Sequence, residues 1–160
     1  MLRPYFSNHT IKVAAALVIA IFTAFPCAAR LGCASKGAVR AQDSLRIEYS
    51  WPVIYRVYRT YERCDENLYF SEAYSTGIIK TLARKWETLP ELQKIAASDS
   101  SFLDFVVLHI DATADYEAVK QILANLSKNC PAGCARVWEK LRARTERAAV
   151  QIERQRQEEK

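Results

Sequence analysis

From Ile54 onward the apolar residues of this chain return at three- and four-residue steps, and no alternating run of strand length appears after residue 50. Each stripe is broken by a short cluster of Ser, Asp, Asn, Gly or Pro, so the chain must bury its apolar surface by packing helix on helix. The pattern predicts an all-α fold: a small bundle of five or six short helices with a long C-terminal helix, stapled by a disulfide.

The spacing places a first helix over Pro52 to Cys64, with Ser50 as cap, Pro52 in the opening turn and Ile54, Val57, Tyr58 and Tyr61 as its stripe. A second runs from Ser71 to about Thr88 with Tyr74, Ile78 and Leu82 inward. Gly77 interrupts it at a cost of about 1 kcal/mol relative to Ala, which points to the close approach of another helix. A short third helix follows Leu89-Pro90, and a fourth spans Phe102 to Ile110 behind Asp99-Ser100-Ser101. A fifth runs from Asp115 to Ser127, its acids near the start as the helix dipole prefers. From Cys134 the positions 134, 138, 141, 145, 148 and 152 trace a seam on a charged helix reaching Lys160. The stretch from Gln42 to Tyr49 carries no clear period and reads as a lead-in.

Charge divides the chain. Residues 1 to 41 hold no Asp or Glu but contain Arg3, Lys12, Arg30, Lys36 and Arg40, and the remaining 18 Lys and Arg are matched by all 18 acids. The net +5 therefore belongs to the leader, and a neutral domain is a poor phosphate binder, which argues against a nucleic-acid partner. The uncharged run from Val13 to Phe25 fits the apolar core of a secretory signal and falls short of the roughly 20 residues that span a bilayer. Small residues at the minus-three and minus-one positions allow cuts after Ala29, Ala34 or Ala41, with Ala41 preferred. The resulting organisation is a signal peptide over 1–41, a helical domain over 42–135 and a charged helix over 136–160 extending from the domain and frayed at its end. The expected location is periplasmic or secreted, with no stable membrane span after cleavage; the alternative is an inner-membrane anchor through residues 13–29.

Export makes oxidised thiols the expectation. Cys64, Cys130 and Cys134 are the disulfide candidates. Cys64 to Cys130 is the preferred bridge, closing a loop of about 65 residues and contributing roughly 4 kcal/mol in the chain-entropy model; Cys64 to Cys134 and the local Cys130 to Cys134 compete with it. Cys33 joins the set only if the chain is cut after Ala29. The three-residue gap in Cys130-Pro131-Ala132-Gly133-Cys134 suits neither a zinc site nor a Cys-x-x-Cys redox pair, so no metal or cofactor is expected.

His109, the one histidine after the leader, lies on an apolar face and reads as structural. The aromatic and arginine residues between Tyr49 and Tyr74 suggest an exposed patch in which Tyr55, Arg59, Tyr69 and Phe70 would bind a partner. Elimination leaves an exported, non-enzymatic helical protein that binds another protein in the periplasm or cell envelope, as inhibitor or immunity protein, chaperone or accessory factor. The alternatives are an envelope hydrolase using His109 with a helical carboxylate, and a membrane-tethered structural protein.

Overall fold

The computed structural model describes residues 32–128, 130–131 and 134–159; the apolar run from Val13 to Ala29 lies outside them. Among the described residues there are seven α-helices and no strand. They are α1 (Lys36–Ile47), α2 (Trp51–Tyr61), α3 (Leu68–Arg84), α4 (Leu89–Ser98), α5 (Ser100–Leu108), α6 (Tyr116–Leu126) and the long α7 (Ala135–Glu158). Short 3-10 turns at Glu62–Cys64 and Trp86–Thr88 close α2 and join α3 to α4. None of these helices is long and apolar enough to cross a membrane.

The helix the periodicity missed is α1. Its sequence is polar and basic, and it is seated by two fully buried residues, Ala38 and Leu45, a full two turns apart. Ser35 opens it by accepting a hydrogen bond from the Ala38 amide at 3.2 Å. The expected domain boundary at Ala41 falls inside this helix. α1 lies along α3 and runs in the same direction: Cys33 is bonded to Cys64 just before α3, while Lys85 near its end donates to the Glu48 carbonyl. Gly77 serves the close approach its position suggested, because a Cβ there would stand 2.7 Å from the Leu45 carbonyl oxygen.

Core stripes follow the helical spacing: Ile54, Val57 and Tyr58 from α2, Tyr74, Ile78 and Leu82 from α3, Phe102, Phe105 and Val106 from α5, and Ile122 and Leu126 from α6 form one cluster. α3 starts three residues earlier than its apolar pattern implied, since the Asn67 side chain accepts from the Tyr69 amide and caps it. The charged helix α7 buries Leu141, Thr145, Ala148 and Ile152 of the expected seam, together with Val137, against the domain. Arg144 pins it further by donating to the carbonyls of Ile110 (2.6 Å) and Leu108 (3.3 Å) beyond and at the end of α5, where a cation meets the negative end of the helix dipole.

The disulfides correct the expected connectivity. Cys64 pairs with Cys33, and Cys130 pairs with Cys134. The preferred Cys64 to Cys130 bridge fails because the turn after α2 faces the start of α1, while Cys130 and Cys134 lie beyond α6, where a four-residue separation already brings their Cα atoms to 6.0 Å.

Candidate functional site

The four residues expected to form one binding patch are divided by the fold. Tyr55 and Arg59, one turn apart on α2, converge on Asp99: the Tyr55 hydroxyl donates to Oδ2 at 3.2 Å and Arg59 Nη1 to the same oxygen at 3.3 Å. Asp99 also caps α5, accepting from the Ser101 hydroxyl (2.5 Å) and the Phe102 amide (3.4 Å) through Oδ1. These donors hold its carboxyl below the ordinary value, the Ser101 hydrogen bond most of all. Desolvation, then the bond to Asp99, pushes the Tyr55 phenol up. Both side chains are thus engaged in holding α2 to the α4–α5 junction.

Phe70 is corrected outright. It is 0% exposed, with its ring between Tyr61 (5.3 Å) and Tyr74 (5.9 Å), so it belongs to the core and cannot meet a partner. Its neighbour Tyr69 is 65% exposed. A helix places consecutive residues about 100° apart, which is enough to send one ring in and the next out.

His109 is 4% exposed, at the end of α5. Nδ1 lies 2.9 Å from the Phe105 carbonyl and Nε2 3.0 Å from Asp65 Oδ1, with the ring against Phe105 and Tyr74. Each ring nitrogen lies within hydrogen-bond distance of one acceptor oxygen. The Asp65 contact ties the end of α5 to the turn behind Cys64, and the Phe105 contact stays within α5. All four described cysteines are in disulfides, and among the described residues no group of three or more His, Cys, Asp or Glu is placed to hold a metal ion.

Open space lies elsewhere: one opening of about 660 Å³ sits between α6 and α7, by Leu123 and Trp138. A groove of about 550 Å³ runs along the outer face of α3 beneath the loop that leads into α6. Leu68, Ile79, Ala83, Ala114 and Ala118 give it apolar lining, and Ser71, Ser75, Thr76 and Thr113 contribute hydroxyls. Leu68, on the first turn of α3, is 76% exposed.

Hydrogen bonds orient the groove's two walls. His109 meets Asp65 before α3, and Asn125 on α6 donates to the Leu82 and Ala83 carbonyls near the end of α3, both at 3.1 Å, so α6 runs in the same direction as α3. Glu72, Asp111 and Asp115 therefore gather at the Leu68 end, and Lys80 and Arg84 line the other. Asp111 and Asp115 are held by local turns and caps, through the Thr113 and Ala118 amides at 2.8 Å each. Arg46 approaches Glu72 only at 3.9 Å and in solvent, a weak pairing that leaves the acidic end largely uncompensated.

The groove went unread in the sequence because Leu68, Ser71, Ser75 and Thr76 fall off the stripe of α3, while Ile79 and Ala83 read only as widening its inward face. The signal was present in Asn67: as a cap it extends α3 back to Leu68, which then sits off the Tyr74, Ile78, Leu82 stripe. Comparison of the chain with protein families, with curated proteins and with solved structures finds no match.

Proposed function

We propose that this is an exported, non-enzymatic helical protein that binds a segment of another protein in the periplasm or cell envelope, as inhibitor or immunity protein, chaperone or accessory factor. The observation that carries the reading is the polarised groove over α3, with exposed Leu68 at its acidic end. Its length from Leu68 to Arg84, about 25 Å at 1.5 Å per residue, suits an amphipathic helix of several turns laid along it. Such a partner would set an apolar face on Leu68, Ile79 and Ala83, with basic side chains toward Glu72, Asp111 and Asp115 and acidic ones toward Lys80 and Arg84. Two disulfides support export, because bridges of this kind persist in oxidising compartments. The contact of each His109 nitrogen with an internal acceptor favours binding over catalysis at that residue.

A photo-reactive residue at Ser75, inside the groove, and another at Glu91, exposed on α4, test the reading in the envelope of the producing cell. The expected result is one cross-linked protein from Ser75, absent from Glu91 and lost when Leu68→Asp is added without a change in melting temperature. Equal cross-linking from both positions, or none from either, would refute the groove as the binding site.

A further inference from the structure

We propose that the exported chain is cut between Ala29 and Arg30 by a membrane peptidase that selects small residues at the minus-three and minus-one positions, so that the mature protein keeps Cys33 and the whole of α1. This rests on the export reading and goes beyond it by naming the bond. Water adds across the Ala29–Arg30 peptide: the oxygen joins the Ala29 carbonyl to give a carboxylate, and the nitrogen takes a proton to become the Arg30 amine.

Sequence alone allows three cuts, since Cys27/Ala29, Gly32/Ala34 and Val39/Ala41 all present small or short side chains. The folded body discriminates among them. A cut after Ala41 divides α1 and removes Ala38, a fully buried core residue, together with Cys33 and the Ser35 cap. It leaves six residues of α1, Gln42 to Ile47, to hold Leu45 against Gly77. Helices that short do not persist without tertiary support.

A cut after Ala34 spares α1 but still removes Cys33, as well as the Gly32 carbonyl that accepts from the Ser35 hydroxyl at 2.8 Å. Either of these cuts strands Cys64, 6% exposed, as a buried thiol without its bridge. Only cleavage after Ala29 yields a mature chain whose four cysteines are all paired. It also lies nearest to the end of the apolar run at Phe25.

The test is intact-mass measurement and N-terminal sequencing of the full chain expressed with export machinery, alkylated before and after reduction. The expected product begins at Arg30 and takes up no alkylating reagent until reduced, then four equivalents. A product beginning at Ser35 or Gln42 with one reactive thiol overturns the assignment while leaving export standing; an uncleaved chain retained in cytosol or membranes overturns both. Ala29→Leu provides a second readout: it should abolish the mature band, whereas Ala41→Leu should leave the N-terminus at Arg30. Processing that survives Ala29→Leu at an unchanged rate would also count against this bond.

Discussion

A methyl group added at Gly77 would stand 2.7 Å from the carbonyl oxygen of Leu45, so α1 and α3 meet backbone to backbone. The offending atom belongs to a helix carbonyl and cannot swing aside as a side chain would. Gly77→Ala should therefore lower stability, because overpacking of about 1–3 kcal/mol outweighs the roughly 1 kcal/mol gained in helix propensity. A urea titration would show a lower midpoint with an unchanged slope; a higher midpoint would mean that α1 does not sit on α3.

Asn125 stands where α6 meets the end of α3. Its Nδ2 donates to two carbonyls of the last turn, groups that have no partner within their own helix, and its Oδ1 accepts from Gln121 at 3.1 Å. Replacing it with Leu leaves these acceptors buried and unmet, at a cost of about 2–3 kcal/mol. Asn125→Asp should be worse, since a carboxylate then faces two carbonyl oxygens. Thermal melts of the two variants check the order.

Tyr74 is fully buried, and its hydroxyl has no hydrogen-bond partner among the described residues. Burial, then the charge of Asp65, raises its pKa above the ordinary value. The unfolded chain thus loses this proton first, and stability falls as pH rises past the ordinary phenol range near 10. Tyr74→Phe should match or exceed the wild-type melting temperature at neutral pH and show a shallower alkaline decline. A drop of several degrees at neutral pH would reveal a hidden partner for the hydroxyl.

At the acid end Asp99 acts in the opposite sense. Its lowered carboxyl binds its proton later than in the unfolded chain, so its contribution is present above the ordinary carboxylate range and is lost as pH falls through the folded value. Asp99→Asn should flatten the acid limb of the stability profile, and Asp99→Ala should remove about 1 kcal/mol at neutral pH through loss of the α5 cap. An acid limb identical to wild type in Asp99→Asn would count against the Ser101, Tyr55 and Arg59 bonds as its cause.

Residues such as Ile54, Tyr74, Phe102 and Ile122 were legible as core because their spacing matches the helix repeat, a local property of the chain. The Asp99 cap was legible for the same reason, lying directly before α5, whereas Ser50 stands before α2 without a side-chain hydrogen bond to it. By itself the sequence therefore determined the fold class, six of the seven helices, the long charged helix and the closeness required at Gly77. The tertiary structure decided what depends on distant partners. α1 lacks a strong stripe and is held through Leu45 at Gly77 and through the Cys33–Cys64 bridge, partners distant in the chain. Cys64 turned to Cys33 because α1 packs along α3, and Phe70 went inside while Tyr69 stayed out because the Asn67 cap starts α3 at Leu68, which sets Phe70 one turn before Tyr74 on the covered face.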